Sequence, residues 1–132
     1  MENDLEKDII RAAKKGDTAR IEYLLDANPA LVHAADSEGC TPLHCAAWKG
    51  EFNAASMLID HGADINAQSS NGHYGGTPLH AAAHGNHREI AELLIAHGAD
   101  TNAVSCNDRT PFQETEIHKA TAVAKLLRKA AE

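Results

Sequence analysis

Thr41-Pro42-Leu43-His44-Cys45-Ala46-Ala47-Trp48-Lys49-Gly50 decides the fold, because most of this stretch returns downstream. Thr77-Pro78-Leu79-His80 stands 36 residues later, and a degraded copy, Thr110-Pro111-Phe112-Gln113, follows after a further 33. The first two copies are each followed by a matching tail, Gly62-Ala63-Asp64-Ile65-Asn66-Ala67 and Gly98-Ala99-Asp100-Thr101-Asn102-Ala103. A weaker, earlier copy runs from Ile9 through Ala12, Ala13 and Gly16 to Leu24 and Leu25. Self-similarity at this period marks a repeat architecture, in which each unit buries its apolar face only against its neighbours. Four units then fill the chain, over about residues 3–35, 36–68, 69–104 and 105–132.

Each unit reads as two helices. Pro42 and Pro78 fit a first helical turn, where a missing N–H is no loss, and Thr41 and Thr77 precede them as N-caps. The first helix carries Ala46, Ala47 and Ala81 to Ala83, small enough for close helix packing, and ends at Gly50 or Asn86, both tolerant of left-handed backbone. Apolar residues at helical spacing follow, Ile90, Leu93 and Leu94 in one unit and Ile21, Leu24 and Leu25 in another. Gly62 and Gly98 stop these second helices.

Composition narrows the class. The chain has 132 residues, enough for one compact domain and too few for two, which excludes multidomain enzymes. Aromatics are 4% of it while Ala alone supplies 25 residues, which favours closely packed helices. A net charge of −7 disfavours duplex nucleic acid and acidic membranes, both of which need exposed cations. The N-terminus lacks a secretory pattern and no apolar run reaches the length of about 18 residues that spans a bilayer. The expectation is a cytoplasmic protein whose three cysteines are reduced thiols.

The recurring TPLH, the Ala pair, the helix-ending Gly and the GADxNA tail together resemble the ankyrin repeat along essentially the whole chain. The resemblance implies an all-α ankyrin-repeat solenoid of four helix-turn-helix units with short β-turn fingers. It also implies a concave surface, built from first helices and fingers, that binds other proteins. The first unit lacks TPLH and the last lacks the Gly tail, as end repeats must present one polar face. Asp4, Lys7, Asp8 and Arg11 are expected to solvate one end, and Gln113, Glu114, Lys125, Arg128 and Lys129 the other. Both ends being charged, the chain is expected to be a monomer. The 36-residue step lengthens one finger by three residues around Asn71-Gly72, a tight-turn signal. It reads either as a presenter of His73 and Tyr74 or as a tolerated surface insertion.

Nine histidines raise a rival reading, a His-rich metal-binding or metal-dependent hydrolytic protein. His80 and His84 lie four apart on one helix face, as in zinc proteases, yet only Ala81, Ala82 and Ala83 stand between them and no general base is present. In the family, the His of TPLH is a hydrogen-bonding staple, which implies that role for His44 and His80. His61 and His97 fall near the ends of second helices, where the dipole favours a cation. His33, His87 and His118 have no identifiable partner. Cys40 and Cys106 fall two repeats apart, on the order of 20 Å at ordinary helix spacing, beyond any shared metal or disulfide. Cys45 replaces an apolar residue and reads as a small buried hydrophobe. No nucleophile-elbow or nucleotide-loop motif occurs, so no catalytic residue and no cofactor is expected. Asp64-Ile65-Asn66 resembles the tail that is hydroxylated in some animal ankyrin proteins, the plainer reading being a loop closed by hydrogen bonds.

The family's contact positions map onto Lys14, Lys15, Trp48, Lys49, His84, Ile117 and His118 on first helices. On the fingers they map onto Glu38, Cys40, His73, Tyr74 and Arg109, with Ser37 and Asn107 beside them. Trp48, the single tryptophan, reads either as an exposed anchor for a partner or as a side chain packed sideways on a neighbouring first helix. Lys14, Lys15 and Lys49 form a basic run suited to an acidic partner segment, or simply a solvated face.

Overall fold

The computed structural model describes residues 2–71 and 75–131. The repeats fold as helix pairs: α1 (Glu2–Lys15) with α2 (Thr18–Ala27), α3 (Pro42–Lys49) with α4 (Phe52–Asp60), α5 (Pro78–Gly85) with α6 (Arg88–Ala96), and α7 (Pro111–His118) with α8 (Thr121–Ala131). A short 3-10 helix, Pro29–His33, follows α2. The first helices α1, α3, α5 and α7 stack on one another in chain order, and the second helices form a parallel outer layer. Among the described residues there is no β-strand.

The repeated motif is a complete helix start. The Thr41 hydroxyl accepts from the His44 N–H, and the His44 Nδ1 accepts from the Thr41 N–H at 3.1 Å, so two orphan donors satisfy each other across the cap. Thr77 with His80 repeats the arrangement, and Thr110 with Gln113 reproduces it without the imidazole. Each first helix then ends in left-handed backbone, at Gly16 (φ 72°), Gly50 (φ 76°), Asn86 (φ 57°) and Lys119 (φ 53°). Gly50 is required twice over, since a Cβ there would also meet the His87 ring at 2.6 Å.

The core follows the helical spacing of the apolar residues. Ile9, Ile21, Leu24, Leu25, Leu43, Leu58, Leu79, Ile90 and Leu94 are fully buried between the two layers. Ala46, Ala47 and Ala81 to Ala83 are likewise inaccessible, and their small volume lets the first helices approach closely. At one end Asp8 on α1 is clasped by Arg20 on α2, whose hydrogen bond holds the Asp8 carboxyl below its ordinary range. At the other, the Arg128 guanidinium lies 5.4 Å from the centre of the Phe112 ring.

Candidate functional site

The fingers stack by backbone pairing. In finger two, Asp36 N–H donates to the Cys40 carbonyl, and in finger four Ser105 N–H donates to that of Arg109, each closing a loop over four residues. In finger three the closing bond runs from Ser69 to Gly76 at 2.8 Å, over seven residues, which locates the three-residue insertion between them. Ser70 N–H reaches the Glu38 carbonyl and Cys106 N–H that of Gly75, so adjacent fingers are laced together. His73, Tyr74 and the side chain of His118 lie outside the described residues.

Histidines tie the helix layer to the fingers. His44 Nε2–H donates to the Gly76 carbonyl and His80 Nε2–H to that of Arg109, both at 2.8 Å, while their Nδ1 atoms accept from their own cap N–H groups. Burial pushes both imidazoles below their ordinary pKa. With both ring nitrogens engaged, His80 is unavailable to form a metal pair with His84. Among the described residues no group of three or more His, Cys, Asp or Glu is placed to hold a metal ion. His61 and His97 bond through Nδ1 to the Met57 and Leu93 carbonyls in the last turns of α4 and α6. His87, for which the sequence offered no partner, donates from Nε2 to the Trp48 carbonyl at 2.9 Å, its ring seated between Gly50 and Gly85. Asn66 joins neighbouring tails, donating to the Gly98 carbonyl and accepting from Asp100 N–H at 2.8 Å.

The ends of the first helices form two rows of equivalent positions, Lys14, Trp48, His84 and Ile117 in one, Lys15, Lys49, Gly85 and His118 in the other. Lys14, Lys15, Lys49 and Ile117 are exposed, whereas Trp48 and His84 are half-buried. Trp48 thus packs sideways on the neighbouring first helix while part of its surface stays accessible. Its ring meets the His84 imidazole edge-on with centroids 6.4 Å apart, and the Lys49 ammonium sits 4.7 Å over its face. His84 Nδ1 continues the line to Glu114 Oε1 at 3.4 Å, and Arg109 lies 3.7 Å from the other carboxylate oxygen. A connected path therefore crosses three repeats from Lys49 to Arg109.

Two expectations are corrected. Glu114, assigned to solvating the end of the stack, has no accessible surface, because α7 turns it inward against α5 where the preceding repeats place Cys45 and Ala81. Cys40, placed among the fingertip contacts, is only 1% exposed, since Cys40 N–H donates to Asp36 Oδ1 and the side chain points under the finger into the core. Cys45 is buried as expected, its thiol pushed up to about 12 by desolvation, and Cys106 is exposed. Glu38 is exposed at a fingertip, its carboxylate 3.5 Å from Asn71 Nδ2. Sequence reasoning missed the Arg109–Glu114–His84 cluster, whose available signal is an acid at a position that is Cys or Ala in the preceding repeats.

Stacked helix pairs with laced turns and a half-buried aromatic between first helices define a helical-repeat protein. The comparisons agree: residues 6–69 match the model for ankyrin repeats in three copies and residues 49–95 that for many copies. The chain belongs to the ankyrin-repeat family. It is 42% identical over 60 residues to the serine/threonine-protein kinase VIK of Arabidopsis thaliana, covering 46% of this chain and 14% of that protein. Oxysterol-binding protein-related protein 1 of Homo sapiens is 40% identical over 68 residues, 51% of this chain and 7% of its own length. Ankyrin repeat domain-containing protein 49 of Bos taurus is 37% identical over 67 residues, 51% and 28% respectively. The matched stretch is thus a small part of each relative and consists of repeats, so the activities in those names attach to those proteins. Ankyrin repeats generally mediate protein–protein interaction and are typically non-catalytic. Among the described residues no helix is long and apolar enough to cross a membrane.

Proposed function

We propose that this chain is a non-catalytic recognition module that binds a segment of a partner protein along the face made by its first helices and fingers, with Trp48 as anchor. The observation that carries the reading is the setting of Trp48, half-buried between the repeats yet held at its face by Lys49 and at its edge by His84. A large aromatic so preorganised loses little freedom on binding, which is why such residues dominate interface energies. Lys14, Lys15, His84 and Ile117 complete the surface on the helix side and Glu38 and Arg109 on the finger side, while His73, Tyr74 and His118 enter through the family's contact pattern alone. Three reduced cysteines suit a reducing compartment such as the cytoplasm. Exposed charges on α1 and α8 suit a monomer, which sedimentation at micromolar protein checks.

The test is a peptide selected from a random display library on the full chain. Trp48→Ala is expected to stay folded, losing about 1–2 kcal/mol of stability for a half-buried ring. It is expected to weaken the selected peptide by about ten-fold or more. Unchanged affinity in the folded variant overturns Trp48 as the anchor.

A further inference from the structure

Resting on that reading, we infer that the segment bound is acidic, its carboxylates held by Lys49, Arg109 and the cations of α1 beside an apolar side chain on Trp48. The chain holds 19 acidic residues and a net charge of −7, yet the eight positions of the two first-helix rows hold no acid and three lysines. The cationic surface continues at both ends. On α1, Lys7, Arg11 and Lys14 recur at helical spacing along a cleft of about 500 Å³ lined also by Ile10 and Ala35. Glu6 and Asp36 also border this cleft, and the Asp36 carboxylate is already engaged by Glu38 N–H and Cys40 N–H. At the far end Arg109 is 37% exposed.

Helix dipoles account for Lys14, Lys15 and Lys49, which lie in the last turns of α1 and α3, but not for Lys7, Arg11 or Arg109, which do not. Among the first-helix residues of the Arg109–Glu114–His84 cluster, Glu114 is the one acid. It is inaccessible, however, and lies between His84 and Arg109, so its charge is met within the fold while the guanidinium above it has five N–H donors, more than one buried carboxylate engages. Glu114 acts as a positioning residue that sets Arg109 at the rim. Glu38 and Asp108 stand exposed on fingertips, Asp108 next to Arg109. With Glu51, whose carboxylate lies against Gly16, and exposed Glu116 beside Ile117, they set the limit of the surface that suits carboxylates. The resulting order is cation, aromatic, cation, which matches a segment of acidic residues flanking one apolar residue.

The peptides selected on the full chain are sequenced, synthesised and titrated at rising salt against wild type, Lys49→Glu, Arg109→Gln and Trp48→Ala, with Lys125→Gln on α8 as control. The expected result is enrichment of Asp and Glu over the library, affinity that falls with salt, and losses of about five-fold or more for Lys49→Glu and Arg109→Gln. Lys125→Gln should bind as wild type does. Basic or neutral peptides, or acidic ones indifferent to salt and to both charge variants, overturn the inference. If such peptides still need Trp48, the recognition face survives and only its charge preference fails. Acidic peptides that need Lys49 and Arg109 but not Trp48 remove the anchor and keep the preference, and a selection that enriches nothing overturns both.

Discussion

α5 meets α3 on one side and α7 on the other, and the two contacts are built from different chemistry. Toward α3 the surfaces are Cys45, Ala46 and Ala47 against Ala81 to Ala83, all buried and nearly featureless, with His44 stapling the helix to finger three. Toward α7 the same helix meets buried Glu114 and Thr115, and Gln113 replaces the stapling imidazole with a cap bond that stays within its own turn. Helix capping is therefore separable from inter-repeat stapling. Gln113 makes the cap bond as His44 and His80 do, and in the two histidines Nε2 adds the bond to the next finger.

The largest expected effect breaks the staple. His44→Ala removes a buried ring, leaves the Thr41 N–H without its side-chain acceptor and leaves the Gly76 carbonyl with the Ser69 N–H alone, at about 3 kcal/mol. Gln113→Ala at the equivalent place should lose about 1 kcal/mol or less, because its bond is exposed. Chemical denaturation of both variants checks the contrast, and equal losses would mean that the inter-repeat bond contributes nothing.

Next in size is Gly50→Ala, which combines left-handed backbone with a clash on the His87 ring and should destabilise by about 2 kcal/mol. His87→Ala made in the same background should recover part of that loss by removing the colliding ring. A double-mutant cycle measures the recovery, and strict additivity of the two losses would place the strain in the backbone alone.

The staples also set a pH dependence. An imidazole harder to protonate in the folded chain than in the unfolded one lets the unfolded chain bind more protons at low pH. Stability is therefore full above about pH 6.5 and falls as pH drops below it, levelling once the lowered folded-state values are passed. His44 and His80 each contribute a slope of at most about 1.4 kcal/mol per pH unit. Denaturation midpoints at pH 7.5, 6.5 and 5.5 test this, and a flat profile across them would contradict buried, neutral staples.

The smallest effect sharpens the comparison at the helix ends. Lys119 holds the left-handed position that Gly50 fills in the second repeat, so Lys119→Gly should stabilise by about 0.5–1 kcal/mol. Asn86→Gly should not, because the Asn86 carboxamide oxygen also accepts from Val123 N–H at 3.3 Å. Thermal melts of the two variants separate these outcomes.

Much of the fold was legible in order of residues. Thr-Pro starts, Gly and Asn stops and the apolar spacing each act within one or two helical turns, so they determined the helix pairs, their ends and the buried Leu and Ile positions before any packing was known. The stapling role of His44 and His80 came from family resemblance, and Cys45 was rightly read as core. The site was less legible. Lys14, Lys15, Lys49 and Ile117 stand exposed as the repeat register suggested, but Cys40 lies under its finger and Glu114, expected to solvate the end of the stack, is buried. The seat of His87 between two glycines and the line from Lys49 to Arg109 join residues 30 to 40 positions apart or set side chains from three repeats against one another. Such contacts depend on how far one repeat is rotated and translated on the next, a quantity that local propensity does not encode. The sequence by itself determined what each repeat is, and only the stacking of one repeat on another decided which polar side chains are buried together and which remain for a partner.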